Sequence, residues 1–205
     1  MFPPALNSPV TWADSLSESI IVWGGWPSDI AKGLLPADEI WRFTYNHSDH
    51  DPNALVTPDG GIWYKETANR GALTSLSRPM GCAFTVLNGV GYCLGGSLWN
   101  QNDDSPIFDD VPSTQYLPWY AISGIVSLDF ATKTFKNASS AGFGKYGTLN
   151  KAQAEPIPFG PNDLILFLGG RQNPVGTYMS EATLVDFSTL YFYDPLGTYP
   201  DTDDS

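Results

Sequence analysis

The sequence predicts an all-β protein made of three successive units of about four short antiparallel strands. Three apolar runs, SIIVWGG, VGYCLGG and DLILFLGG, each end in a Gly-Gly pair. From Gly24 to Gly95 is 71 residues and from Gly95 to Gly169 is 74, a nearly constant spacing that indicates a repeat architecture. With 14% aromatic residues, 16% charged residues, 20 glycines and 17 prolines, the composition also favours short strands joined by many turns.

The same order of strands, named a to d, is predicted in each unit, and strand b is the run that ends in the Gly-Gly pair. Alternating or β-branched and aromatic residues identify the strands, and Asn88-Gly89 between two apolar runs predicts a tight hairpin. The third unit is expected to be incomplete after strand c. Strands are predicted over residues 10–13, 19–25, 39–45 and 62–66; 81–87, 90–96, 124–130 and 134–139; and 152–159, 163–170 and 189–194.

These runs resemble the kelch repeat, in which a Gly-Gly pair ends strand b, an aromatic residue lies in strand c, and an Asp and a later Trp follow. The second unit keeps the spacing from Asp129 to Phe135, with Phe in place of Trp. In the third unit position 200 is Pro, so the last strand looks lost. The matching positions are Gly24, Gly25, Phe43, Trp63, Gly95, Gly96, Asp129, Phe135, Gly169, Gly170, Tyr193 and Asp194.

The resemblance implies a single partial β-propeller over residues 1–205, with kelch-type blades at about 10–67, 78–140 and 150–200. The secreted or membrane-anchored kelch proteins of fungi are the most similar. Strand b is expected near the propeller axis, and large aromatic side chains are expected to fill the wedges between blades. The aromatic residues expected there are Trp41, Phe43, Trp63, Tyr191 and Tyr193.

Three blades are fewer than the roughly four to eight that close a propeller. Such an arc has two open apolar faces, which need the remaining blades of a longer protein or a second chain to cover them. We therefore expect a fragment of a larger kelch protein. A complete chain that self-associates and a truncated, poorly stable product are the alternatives.

The candidate binding surface is the long segment between strands b and c of the second unit, residues 97–123. Long loops on a rigid scaffold often carry function, and exposed aromatic rings beside carboxylates could anchor a protein or stack on a sugar. In the alternative interpretation the loop folds over its own blade and buries these rings. The candidate residues are Trp99, Asp103, Asp104, Phe108, Asp109, Tyr116, Trp119 and Tyr120.

The predicted function is a non-catalytic scaffold for protein–protein interaction, with no cofactor and no metal. His47 and His50, the two histidines of the chain, flank Asp49 in one segment, and no further metal ligand is evident. The alternative is a segment of a carbohydrate-active or copper-oxidase-type propeller enzyme whose catalytic residues lie outside this chain. A structural surface protein without a discrete ligand is a third possibility.

The net charge of −12 and the scattered basic residues argue against nucleic-acid binding, and no apolar run is long enough for a membrane span. The sequons at Asn46 and Asn137 suggest a glycoprotein at the cell surface or outside the cell, although the chain shows no signal peptide. Cys82 and Cys93 fall on paired strands in a diagonal relation, which favours two buried thiols over a disulfide.

Overall fold

The computed structural model describes residues 3–27, 35–44, 55–56, 61–73, 76–98, 120–160, 162–177 and 182–197. Every regular element in these ranges is a β-strand, and the strands pair in antiparallel sheets, so the predicted all-β class is confirmed. The strands are β1 (Leu6–Asn7), β2 (Val10–Asp14), β3 (Ser19–Trp23), β4 (Trp26–Pro27), β5 (Glu39–Thr44), β6 (Leu55–Val56), β7 (Ile62–Thr67), β8 (Ala83–Leu87), β9 (Val90–Leu94), β10 (Ser97–Leu98), β11 (Tyr120–Ala121), β12 (Ile125–Asp129), β13 (Thr134–Ala138), β14 (Gln153–Ile157), β15 (Leu164–Leu168), β16 (Arg171–Gln172), β17 (Thr183–Leu184) and β18 (Leu190–Tyr193).

The first sheet has the strand order β2-β3-β5-β7-β6. Its strands a to d are β2, β3, β5 and β7, as predicted, and each pairs with the next along the chain. The short strand β6 is a fifth member at the outer edge. We expected a loop in this segment, and the prediction of four strands is wrong by one because a two-residue strand is too short to show a period of two.

The second sheet has the order β13-β12-β9-β8, which is the predicted four-stranded meander. Asn88 and Gly89 have φ of 51° and 74°, and Leu87 faces Val90 across the turn. Both central residues therefore adopt the left-handed conformation that a type I′ hairpin requires. The Asn-Gly prediction is confirmed.

The third sheet has the order β14-β15-β18, so strands a, b and c are present in the described part of this unit. Three two-stranded ribbons complete the fold: β1 with β4, β10 with β11, and β16 with β17. In every ribbon one strand begins immediately after a Gly-Gly pair. The sequence analysis did not identify these ribbons, which are too short to show alternation.

The first and second sheets stack face to face around buried aromatic rings. Trp12 lies parallel to Trp23 with ring centroids 5.7 Å apart, and Trp23 contacts Phe135 of the second sheet at 5.0 Å. Each large aromatic pair adds to the hydrophobic gain of burying its rings. The buried cluster consists of Val10, Trp12, Ile21, Trp23, Ile40, Ala68, Leu76, Cys82, Cys93, Leu128, Phe130 and Phe135.

The second and third sheets stack in the same order, through the opposite face of the second sheet. Tyr92 contacts Tyr193 at 6.0 Å, and Phe143 of the intervening segment packs edge-on against Phe167 at 5.5 Å. The predicted wedge positions Tyr191 and Tyr193 are confirmed here. The buried cluster consists of Ala83, Leu87, Tyr92, Leu94, Ile125, Phe143, Leu149, Ala154, Ile165, Phe167 and Val185.

The wedge prediction is not tested for Trp41, Phe43 and Trp63, because no described sheet packs on their side of the first sheet. Alternate residues of a strand point to opposite faces, and the register places these three on the side of the first sheet that faces away from the second. Phe43 and Trp63 instead contact each other at 5.0 Å. Strand b was expected near the propeller axis, where neighbouring sheets crowd, but the closest contacts between sheets are made by the first strands β2, β8 and β14.

The segment before each first strand repeats one backbone conformation. Ser8, Gly81 and Lys151 stand two residues before β2, β8 and β14, with φ of 49°, 62° and 54°. The Gly81 N–H donates to the Ser8 carbonyl at 3.3 Å, and the Lys151 N–H donates to the Gly81 carbonyl at 2.6 Å. A continuous line of backbone hydrogen bonds therefore links the three units. We call the segments 5–9, 78–82 and 148–152 connectors.

The Gly-Gly pairs of the first and second units each fit against the connector of the next unit. The N–H of Gly25 donates to the Pro79 carbonyl at 2.8 Å, and the N–H of Gly96 donates to the Leu149 carbonyl at 2.7 Å. A Cβ at Gly95 would lie 2.4 Å from that Leu149 oxygen, closer than real Cβ atoms approach. The pair therefore needs glycine for this close approach as well as for its positive φ.

Replacing Gly95 by Ala tests this close approach, with Gly142→Ala as the matched control. Both glycines have positive φ, but a Cβ at Gly142 meets nothing within 4 Å. Gly142→Ala should cost about 1 kcal/mol of unfolding free energy from backbone strain alone, whereas Gly95→Ala should cost about 3 kcal/mol or more because the two sheets must separate. Urea unfolding measures both, and equal losses would contradict the proposed contact.

Candidate functional site

The candidate binding loop of the second unit is anchored by a ribbon, and most of it lies outside the described residues. Trp99, Asp103, Asp104, Phe108, Asp109, Tyr116 and Trp119 all fall in the undescribed segment 99–119. Tyr120 is buried in β11, where it pairs with Leu98 of β10. The expectation that Tyr120 contributes to an exposed binding surface is therefore wrong, because the residue forms the base of the loop.

The ribbon β10–β11 also joins the loop to the third unit. The Ala121 N–H donates to the Thr177 carbonyl at 3.1 Å, and the Gly176 N–H donates to the Ala121 carbonyl at 2.9 Å. Ser97 and Met80 exchange two further backbone hydrogen bonds at 3.0 Å. One end of the loop is therefore hydrogen-bonded to the second connector, and the other end is hydrogen-bonded to the third unit.

The histidine cluster and one sequon fall outside the ranges that the structure describes: His47, His50 and Asn46 all lie in segment 45–54. Among the described residues, no group of three or more His, Cys, Asp or Glu side chains is placed to hold a metal ion. No helix long and apolar enough to cross a bilayer occurs in the described part of the chain.

Two aspartates that the sequence analysis matched to the kelch repeat, Asp129 and Asp194, each accept a backbone hydrogen bond in a turn. Asp129 ends β12, and its carboxylate accepts the Thr132 N–H at 2.8 Å, which holds the pKa of this carboxyl below its usual value. Asp194 follows β18, and its carboxylate accepts the Leu196 N–H at 3.0 Å. Both aspartates therefore close the turn after strand c, a common role for Asp side chains.

Cys82 and Cys93 form a disulfide, with Cα atoms 5.7 Å apart. The preference for two buried thiols is therefore wrong. Cys93 does face Phe84 across the ladder, as predicted. Cys82, however, precedes the first paired residue of β8 and follows Gly81, whose φ is 62°, so the ladder geometry does not fix its distance from Cys93.

The outer face of the third sheet is apolar and exposed. Leu190 is 49% exposed and Phe192 is 53% exposed. Leu190 lies opposite Leu168, as Ile125 lies opposite Leu94 in the second sheet. Ile125, which packs against the next sheet, is 1% exposed.

Exposed apolar side chains are concentrated in this unit. Among the described residues, seven of the ten exposed large hydrophobic side chains lie between residues 159 and 196. Exposed apolar patches of this kind mark interaction surfaces. We call the surface formed by β14, β15 and β18 on the side away from the second sheet the open face.

A groove of about 550 Å³ adjoins the open face at the third Gly-Gly pair. In the first two units the corresponding space holds the connector of the next unit. Here a Cβ at Gly169 would meet the ring of Phe187 at 2.7 Å, and Phe187 is itself 74% exposed. The groove is lined by Lys151, Gly170, Arg171, Leu184, Val185, Asp186 and Phe187.

The filled groove between the first two sheets shows how such a site binds a connector. The guanidinium of Arg78 is buried and donates to the carbonyls of Pro36, Glu39 and Gly24 at 2.7–2.9 Å. Burial lowers the pKa of Arg78 to about 10, and the nearby carboxylates of Glu39 and Asp38 oppose this shift. The side chain therefore stays charged at neutral pH and ties the second connector to the first sheet.

A second, polar cleft of about 640 Å³ lies beside the outer strand of the second sheet. It contains the sequon residue Asn137, which is exposed on β13. The cleft is shaped by Ser140, whose hydroxyl accepts the Gly124 N–H at 2.7 Å and donates to the Gly147 carbonyl at 2.6 Å. Asn137 is therefore accessible to a modifying enzyme.

The described part of the chain is an all-β stack of three antiparallel sheets, with five, four and three strands, in which Gly-Gly pairs contact the next unit. No protein-family model matches the chain, and no curated protein matches it.

Sequence reasoning missed the open face and its groove. The run from Leu190 to Tyr193 is apolar on both sides of the strand, with no polar alternation. Such a run is typical of a strand that is covered on both faces. This signal could have identified the open face.

Proposed function

We propose that the chain is a segment of a kelch-type β-propeller that acts as a non-catalytic scaffold and binds a protein partner through the loops that follow its Gly-Gly pairs. The repeated stacking order supports this proposal. The second sheet packs one face on the first sheet and its opposite face on the third sheet. The first strands of neighbouring sheets lie side by side. Sheets related in this way fan around a common line, which is the arrangement of propeller blades.

The loops after the Gly-Gly pairs are the best candidates for the binding surface because all of them leave the sheets at the same end. In the second and third units a ribbon fixes the two ends of each loop, β10 with β11 and β16 with β17. A rigid base lowers the entropic cost of ordering a loop on a partner. Trp99 and Trp119 are the first and last residues of the undescribed segment, next in sequence to β10 and β11 of one such base.

We also propose that the protein works at the cell surface or outside the cell. The disulfide between Cys82 and Cys93 supports this location, because disulfides persist in oxidising compartments. The exposed sequon at Asn137 agrees with it.

The loop proposal predicts that replacing Trp99 and Trp119 together by Ala weakens partner binding by about 2 kcal/mol or more, since aromatic anchors dominate protein interfaces. Proteins from the extracellular fraction of the source organism are captured on the wild-type chain, purified singly and titrated by calorimetry. Soluble cell-wall glucan is titrated in parallel as a carbohydrate probe.

The matched control is Leu16→Ala, an exposed apolar residue in the β2–β3 turn at the opposite end of the sheets. This control should bind like the wild type. Equal affinity of the tryptophan variant would contradict the loop assignment. Copper-dependent turnover of a sugar or aldehyde by the protein would contradict the non-catalytic proposal and favour the oxidase-type alternative.

The proposed location predicts N-glycosylation at Asn137 when the protein is made in a secreting host. Treatment with an amide-cleaving glycosidase should lower the mass of the wild type by one glycan more than the mass of Asn137→Gln. Mass spectrometry of the two proteins makes the comparison independent of Asn46. Identical losses for both proteins would show that Asn137 is not modified.

A further inference from the structure

The chain contains one type of sheet-to-sheet interface twice. Face positions can be compared by counting back from the first glycine of each pair. The residues two before it are Val22, Cys93 and Phe167, and the last two are buried against the preceding sheet. The interface between the first and second sheets and that between the second and third therefore use equivalent positions.

The two terminal faces of the stack are the two halves of this same interface. On the first sheet, Ile20 is 40% exposed, whereas Ile165 at the equivalent position of the third sheet is fully buried against the second. On the third sheet, Phe192 is 53% exposed, whereas Arg42 and Ser127 at the equivalent positions face a neighbouring sheet. Among the described residues, no sheet packs on the outer face of the first sheet and none packs on the open face of the third.

The backbone groups at the two ends are complementary as well. In the line of hydrogen bonds between connectors, Gly81 donates its N–H to Ser8 and accepts the N–H of Lys151 at its carbonyl. No described connector supplies the equivalent hydrogen-bond partner for the Ser8 N–H or for the Lys151 carbonyl. Similarly, the N–H groups of Gly25 and Gly96 donate to a carbonyl of the following connector. No described residue supplies an equivalent carbonyl to the N–H of Gly170. Leu6 stands at the position of Pro79 and Leu149 in the first connector.

We propose that two copies of this chain associate head to tail, with the outer face of the first sheet of each copy seated on the open face of the other. The first connector of one copy fills the groove beside Gly170 of its partner, as the second and third connectors fill the equivalent grooves within one chain. Each copy contributes three sheets of three or more strands, so two copies bring six such sheets together, which lies within the roughly four to eight blades of closed propellers. The inference rests on the propeller arrangement proposed above but not on what the loops bind.

Two features set the conditions for this contact. Phe187 fills part of the groove and must turn outward, which its exposed position allows. Each copy also carries a net charge of −12, so the copies repel each other at low ionic strength. Added salt screens this repulsion, and the association should strengthen as salt is raised.

Analytical ultracentrifugation of the intact chain tests the proposal. At about 100 µM protein, well above a micromolar dissociation constant, the wild type should sediment with close to twice the chain mass of 22.3 kDa. Ile20→Asp on the first sheet and Phe192→Asp on the third should each yield monomers, with a dissociation constant raised about 100-fold or more by the buried carboxylate. The control Leu16→Asp makes the same chemical change outside both faces and should remain dimeric.

A mixture of the two variants distinguishes head-to-tail association from other modes. Each variant retains one intact half of the interface, so Ile20→Asp and Phe192→Asp together should form a heterodimer, although neither dimerises alone. The near-ultraviolet circular dichroism of the tryptophan pair should be unchanged, because both substituted positions are exposed in the single chain.

A monomeric wild type at all concentrations and salt levels would overturn the proposal. So would a dimer that Ile20→Asp leaves intact, because the open faces would then be pairing with each other. Trp119→Ala should dimerise like the wild type, so failure of the loop proposal and failure of this one give separate results.

Discussion

The close approach between a Gly-Gly pair and the connector of the next unit is the contact on which the rest of the structure depends. Gly95 accommodates the Leu149 carbonyl where any Cβ would lie 2.4 Å from its oxygen, and Gly24 accommodates the Pro79 carbonyl in the same way. The next glycine donates its N–H to that carbonyl. The contact thus joins a steric requirement to a hydrogen bond, and it fixes each sheet relative to the one that follows.

Several other features follow from this geometry. Because each connector sits behind the preceding Gly-Gly pair, the first strands of neighbouring sheets come together. The wedge between two sheets is filled by large rings such as Trp12, Trp23 and Phe167. The loops after the Gly-Gly pairs all leave at one end, and the third sheet has an exposed apolar face. The proposed binding surface and the open face are therefore consequences of the same contact.

The order of the strands could be predicted from the sequence because alternation, Gly-Gly pairs and the Asn88-Gly89 turn are local signals. Which face each residue occupies could be predicted only in part. Tyr193 was placed correctly between two sheets, but the sequence could not show that Trp41 lies on the face away from the second sheet, since the direction of stacking is set by contacts between units that are far apart in sequence. Cys82 lies outside its ladder, so register alone could not place it near Cys93.

Amide hydrogen exchange at the Gly-Gly pairs is the most direct test of the account. The N–H groups of Gly25 and Gly96 lie outside the sheets but donate to the following connector. If the sheets are joined through these hydrogen bonds, both amides should exchange only when the stack opens, as slowly as amides in the middle of β9. Exchange as fast as that of exposed turn amides, in a protein whose sheets remain protected, would contradict the account, because the units would then not be joined through their glycine pairs.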